Sequence, residues 1–237
     1  MDIKSLTKTF DQSILRPEKI SLEEIKKISL LAIEHGFRGI VIHPCNVSLV
    51  KNLLQGSSVL TVAVCDFPHG KGLTKSRVKD IKEILKLGVD EIDIVANNQY
   101  LTCGDIRSFK KDLKATAKAM GGKVLKIILE VDLLNEKQIK TATEVICKVA
   151  NEENAKLVIK TKTGFVDTGV TQSRLSNLEA VKMIKTTLEK LNMYGEDKIR
   201  IKASGGIKTK EDAIGLIEAG ANILGVSAPE QILGLIN

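Results

Sequence analysis

Tryptophan is absent from this chain of 237 residues, and Phe, Tyr and Trp together make up only 3% of it. Nucleobases would therefore find few side chains to stack on. The net charge of +7 is spread over amphipathic stretches with no long basic block, so no nucleic-acid partner is expected. The three histidines, His35, His43 and His69, are not clustered, and His35 falls in the last turn of a predicted helix, where a cation is favoured in any case. A clustered-histidine metal centre is excluded on that ground, and no metal or other cofactor is expected. The four cysteines, Cys45, Cys65, Cys103 and Cys147, lack the close paired spacing of a zinc site and read as reduced thiols, mostly buried. No apolar run approaches the length that crosses a bilayer, and Met1-Asp2-Ile3-Lys4 has no apolar signal core. The expectation is a cytoplasmic protein with no membrane partner.

What is present is a chain that is 43% hydrophobic, with no shift in composition along its length, which we read as a single domain over residues 1–237. Short runs rich in Val and Ile alternate with stretches of helical period. The candidate strands are Phe10–Leu15, Gly39–Ile42, Val59–Val64, Glu91–Val95, Val124–Glu130, Leu157–Lys160, Arg200–Ala203 and Ile223–Val226. Between them lie amphipathic stretches such as Ser21–His35, Lys75–Leu87, Ile106–Met120, Glu136–Val149, Leu178–Leu191 and Lys210–Ala219. Ser21-x-x-Glu24 reads as a capping box, and Asn135-x-x-Gln138 as a looser one. Strands apolar on both faces and separated by helices imply a parallel sheet. Eight such units in a chain of this length predict an α/β fold, a closed (β/α)8 barrel with a short extra helix at the N-terminus. No Gly-x-Gly-x-x-Gly turn follows the first strand, as a doubly wound sheet would more often show.

Two lysines stand where a charge is costly. Lys160 ends the apolar run Leu157-Val158-Ile159, Lys202 follows Ile201, and each is followed by a glycine-containing turn. A lysine desolvated on a strand beside a second one can lose its proton and become a nucleophilic amine, which suggests Schiff-base chemistry. In a barrel, chemistry gathers at the C-terminal strand ends. There the polar residues are Asp11 and Gln12 in strand 1, His43 and Cys45 after strand 2, Asp93 in strand 4, Lys126 and Glu130 in strand 5, Lys160 and Lys162 in strand 6, and Lys202 in strand 7. Alternation puts Lys162 on the same face as Lys160, one layer nearer the mouth. Asp93, between Ile92 and Ile94, reads as the acid inside, with Asp90 and Glu91 as loop or strand-start residues.

The blocks Phe10-Asp11-Gln12-Ser13-Ile14-Leu15-Arg16-Pro17, His43-Pro44-Cys45, Asp90-Glu91-Ile92-Asp93-Ile94-Val95, Ile159-Lys160-Thr161-Lys162-Thr163-Gly164-Phe165 and Lys202-Ala203-Ser204-Gly205-Gly206-Ile207-Lys208 resemble, in order, the signature blocks of the deoxyribose-phosphate aldolase family. The resemblance implies a TIM barrel and a class I aldolase that reversibly splits 2-deoxy-D-ribose 5-phosphate into glyceraldehyde 3-phosphate and acetaldehyde. By position it makes Lys160 the Schiff-base lysine, Lys202 its partner and Asp93 the acid of the proton relay. A lysine of ordinary pKa is neutral only about once in 2,500 at pH 7, so bringing it to about 7 takes roughly 4–5 kcal/mol. An ammonium about 5 Å away at an effective dielectric near 20 contributes about 3 kcal/mol of that. The resemblance also implies phosphate contacts at Gly164 and Phe165 after strand 6, at Gly205, Gly206 and Lys208 after strand 7, and at Gly225 and Ser227 after strand 8. Glycine turns at such places offer backbone N–H groups to an anion.

Several positions depart from the family pattern: Gln12 and Ser13 stand in place of His and Thr, His43 in place of Asn, Lys162 in place of Ser, and Ala228 in place of a second phosphate-turn serine. The segment Val166–Ala180 is longer than usual, and the chain stops at Asn237 without a tyrosine-bearing tail. We expect Lys162 to bind phosphate oxygens in compensation for the lost serine. A metal-dependent class II aldolase is rejected for lack of clustered histidines. Two alternatives stay open: a related Schiff-base lyase acting on another sugar phosphate, and a non-catalytic homologue that binds a phosphometabolite. A homodimer is the assembly that a barrel of this type suggests.

Overall fold

The computed structural model describes residues 2–16, 20–166 and 175–234. Pro17, most of the long segment after strand 6, and Asn237 lie outside the described residues. The strands are β1 (Phe10–Ile14), β2 (Gly39–Ile42), β3 (Leu60–Cys65), β4 (Glu91–Val95), β5 (Val124–Ile128), β6 (Leu157–Lys160), β7 (Arg200–Ser204) and β8 (Ile223–Val226). They pair in parallel in sequence order, and β8 returns to β1 to close the barrel. The helices are α1 (Ile3–Thr7), α2 (Leu22–His35), α3 (Val47–Leu53), α4 (Thr74–Lys86), α5 (Asn98–Thr102), α6 (Ile106–Ala119), α7 (Glu136–Glu153), α8 (Asn177–Lys190), α9 (Lys210–Ala219) and α10 (Pro229–Ile232). The short extra helix expected before the first strand is α1, capped by Asp2, whose carboxylate accepts from the Ser5 N–H.

Local rules set the helix ends. At α7 both halves of a capping box form between Asn135 and Gln138. At α2 the Ser21 hydroxyl accepts from the Glu24 N–H, and left-handed Gly36 ends the helix. Three differences from the sequence reading stand out, and two have simple causes. Seven-residue α3 is too short to show a helical period. β3 runs one residue later than Val59–Val64. β5 ends at Ile128 because Glu130 turns into the left-handed region at φ 51°, where a strand cannot continue.

Period-two alternation sorts the strand residues into two environments. Ile40, Ile42, Ile92, Ile94, Leu125, Ile127, Ile159, Ile201 and Leu224 join the large apolar cluster between sheet and helices. The alternate residues point into the barrel. On one side of that interior Val41, Val62 and Val64 form a small apolar group with Leu15. The rest of the interior is dominated by the charged side chains of Asp11, Glu91, Asp93, Lys126, Lys160 and Lys202, with Val95, Ile128, Val158 and Ile223 on the same strand faces.

Candidate active site

The barrel interior holds a ladder of ion pairs that rises toward the C-terminal mouth. Arg38, one residue before β2, reaches in from below and donates to Asp11 Oδ1 at 2.7 Å and to Glu91 Oε1. Above it Lys126 is fully buried, with its Nζ 2.6 Å from Glu91 Oε2, 2.8 Å from Asp93 Oδ1 and 3.6 Å from Asp11 Oδ2. At the top, Lys160 Nζ donates to Asp93 Oδ2 at 2.8 Å, and Lys202 Nζ donates to the same oxygen at 3.0 Å and to Asp11 Oδ2 at 2.6 Å. Strand register makes this possible: Asp93 lies beside Lys126, and Lys160 beside Lys202. Among the described residues, three carboxylates (Asp11, Glu91, Asp93) thus meet four cations (Arg38, Lys126, Lys160, Lys202), and Arg200 approaches Glu91 at 3.9 Å from the more exposed side. The cluster carries surplus positive charge, so shedding a proton relieves it.

The surplus falls unequally on the members. Burial opposes ionisation of Asp93, but Lys126, Lys160 and Lys202 overrule it and hold the carboxyl well below the usual range. Asp11 is likewise held down by Lys202, Arg38 and Lys126 against the cost of its burial. For Lys126, burial is outweighed by Asp93, Glu91 and Asp11, so its pKa is raised and it stays an ammonium. For Lys202, burial is the largest influence. Asp11 and Asp93 oppose it while Lys160 and Lys126 add to it, and the pKa falls from 10.5 to about 8.

A pocket opens above this ladder, lined at its base by Asp11, Lys160 and Lys202 and around its rim by Gly164, Phe165, Gly205, Gly206, Gly225 and Ser227. The expected rim residues from the turns after β6, β7 and β8 thus share one cavity with the two lysines. Three expected residues do not line it: Asp93 is fully buried beneath Lys160 and Lys202, and two rim residues lie elsewhere. Lys162 lies beyond the end of β6, so strand alternation no longer directs it inward, and its ammonium sits 2.6 Å from Asp132 Oδ1. The Lys208 N–H donates to Asp212 Oδ2 at the start of α9. Phe165 meets Phe67 edge to face, with ring centroids 5.1 Å apart.

Gly225 is required by close approach. A Cβ there would lie 2.2 Å from Ser204 Oγ and 3.1 Å from Lys202 Cε. Gly225→Ala is expected to displace the Lys202 side chain and lower kcat at least tenfold, while thermal melting shows the barrel still folded; unchanged kcat would show that the packing beside Lys202 is tolerant.

Several participants carry little or no signal in the sequence. Glu91 does begin β4, but its side chain is buried inside the barrel, two residues below Asp93 on the same face. Period two alone could have placed it there. Lys126, a strand residue by sequence, is the cation that anchors Asp93, a role with no local signature. Thr163 and Ser204 also line the pocket. The Thr163 N–H and hydroxyl both donate to Glu130, whose buried position raises its carboxyl pKa, and the buried Ser204 hydroxyl has no hydrogen-bond partner among the described residues. Gln12 and His43, two of the altered positions, stay outside this pocket. Gln12 donates toward Glu230 on α10, and His43 Nε2 contacts the Leu15 carbonyl.

The model of the DeoC/LacD family aldolases matches residues 5–229. The chain belongs to that family. It is 36% identical to the deoxyribose-phosphate aldolase of Finegoldia magna over 228 residues, covering 96% of this chain and 98% of that one. It is 34% identical to the deoxyribose-phosphate aldolase of Clostridium kluyveri over 235 residues, covering 98% of this chain and 99% of that one. Among solved structures, the aldolase QR15 superposes with a TM-score of 0.83 at 31% identity, covering 97% of this chain and 95% of the other. The tetrameric deoxyribose phosphate aldolase of Aeropyrum pernix, at 23% identity, shares the fold with a TM-score of 0.81, covering 98% of this chain and 91% of that one. The DeoC/LacD aldolase therefore carries its charge ladder inside a barrel common to the family. Among the described residues no helix is long and apolar enough to cross a membrane.

Proposed function

We propose that this enzyme is a Schiff-base aldolase that reversibly cleaves 2-deoxy-D-ribose 5-phosphate to glyceraldehyde 3-phosphate and acetaldehyde. The observation that carries this reading is the single oxygen, Asp93 Oδ2, that accepts from both Lys160 and Lys202 at the floor of the pocket. Lys160 is the nucleophile: it has one carboxylate contact, whereas Lys202 is fixed between two. Lys202, with its pKa near 8, is the group most easily found neutral at working pH. A proton leaving Lys160 passes by way of Asp93 to Lys202, which frees the Lys160 amine. The amine adds to the C1 aldehyde and water leaves, giving a protonated imine. Lys202, having returned its proton by way of Asp93 to the hydroxyl that leaves as water, takes up the C3 hydroxyl proton as the C2–C3 bond breaks, and the electron pair of that bond is taken up by the imine as an enamine. Glyceraldehyde 3-phosphate departs, the enamine carbon is protonated, and hydrolysis releases acetaldehyde and the lysine. A carboxyl held as low as that of Asp93 is a weak base, so it conducts protons while Lys202 stores them.

The phosphate end is assigned to the backbone N–H groups of Gly164, Gly205, Gly206 and Gly225, with the Ser227 hydroxyl, while Phe165, whose N–H donates to Thr163 Oγ1, contributes its ring to the rim. Lys162 serves it indirectly: its methylenes lie against Gly205, within 3.4 Å of where a Cβ would be, and Asp132 anchors its ammonium. Lys208 acts through its N–H, which holds the start of α9. The compartment proposed is the cytoplasm, where the four free thiols would stay reduced.

The direct test is incubation with 2-deoxy-D-ribose 5-phosphate and enzymatic detection of both aldehydes. Cleavage is expected, and its absence together with cleavage of another sugar phosphate would favour the related-lyase alternative. The titration of Lys202 adds a pH dependence. Because the neutral amine is the working form, kcat/KM should rise with pH through an apparent midpoint near 8 and fall about tenfold per unit well below it. A profile flat from pH 6 to 9 would contradict the proton-storage role.

A further inference from the structure

We propose that Arg16 clasps the phosphoryl group at the pocket mouth and makes the enzyme discriminate phosphorylated from unphosphorylated sugars. This rests on the reading of the pocket as an aldolase site for a sugar phosphate. Arg16 lies two residues past the end of β1, between the turns after β8 and β2, and it lines the same cavity as Lys160, Ser227 and the Gly205-Gly206 turn. Its guanidinium carbon stands 4.5 Å from the Phe165 ring centroid, and Nη2 donates to the Gly164 carbonyl at 3.0 Å. Stacking on the ring and one bond to the main chain hold the flat group in place and leave most of its five N–H donors free in the guanidinium plane.

Charge accounting singles out this residue. The other cations lining the pocket, Lys160 and Lys202, are bound to Asp93 and Asp11 at its floor, and Lys162 beside the rim is bound to Asp132. Among the described residues, Arg16 has no carboxylate within ion-pair distance and is the cation at the mouth left to meet an anion. A planar guanidinium can meet two phosphate oxygens at once and brings a full positive charge, which no single neutral N–H group and no hydroxyl does. A dianion held there would draw the aldehyde end of the sugar toward Lys160.

The test compares kcat/KM for 2-deoxy-D-ribose 5-phosphate and for unphosphorylated 2-deoxy-D-ribose in the wild type, Arg16→Gln and Arg16→Lys, with binding of inorganic phosphate measured by calorimetry on the same three proteins. In Arg16→Gln the preference for the phosphorylated sugar should fall about tenfold or more through KM, activity on the unphosphorylated sugar should change less than about twofold, and phosphate binding should weaken by a similar factor. Arg16→Lys should recover part of the preference. An unchanged preference, or an equal fall on both sugars, overturns the proposal. Should the wild type cleave neither sugar, the aldolase reading fails instead, and the phosphate arm alone decides the role of Arg16: equal affinity in wild type and Arg16→Gln refutes it.

Discussion

Lys160→Met is expected to yield a folded barrel whose cleavage rate is lower by on the order of 10^4 or more, equivalent to at least about 5 kcal/mol of lost transition-state stabilisation. No other pocket amine can take over, because Lys202 is 1% exposed and held by Asp11 and Asp93 together. Stability should survive: with Lys160 gone, Asp93 still has Lys126 and Lys202, and three carboxylates meet three cations. Thermal melting within a few degrees of wild type, alongside lost activity, is the expected pair of results. Activity kept within tenfold of wild type would remove Lys160 from the chemistry.

The same substitution one layer down should act in the opposite way. Lys126 is fully buried and touches Glu91 and Asp93, with Asp11 just beyond. Lys126→Met keeps most of the apolar stem but leaves buried carboxylates without their main cation, which typically costs about 3–5 kcal/mol. For a chain of this size that is a fall in Tm of roughly 10 °C. The sign of its pH dependence follows from the depressed carboxyls. Asp93, Asp11 and Glu91 add stability above their unfolded pKa values of 3.8 to 4.5, and that stability is lost as pH falls through their lower folded values. Without Lys126 less of this stability exists to lose, so the gap between variant and wild type should narrow as pH drops below about 4. Denaturant midpoints from pH 7 down to 3 check this, and a gap that widens in acid would show that Lys126 does not hold the carboxylates ionised.

The barrel was legible because parallel strands buried on both faces read as unbroken Val and Ile runs, and because the helices between them keep a clear period. β2, β4, β6 and β8 match their expected bounds. Lys160, Lys202 and Asp93 stood out because charge in such runs is conspicuous. What the sequence hid depends on contacts far along the chain. Arg38 reaches Glu91, 53 residues on, and Arg16 reaches Gly164, 148 residues on. Neither pairing has a local signature. The inward pointing of Lys162 failed as an inference because alternation holds only while the strand lasts, and β6 ends at Lys160.

The proposed reaction turns on which amine forms the bond. Borohydride reduction in the presence of acetaldehyde, followed by peptide mapping, is predicted to place an ethyl group on Lys160 Nζ and none on Lys202. An adduct on Lys202, or no adduct on any lysine, would contradict it.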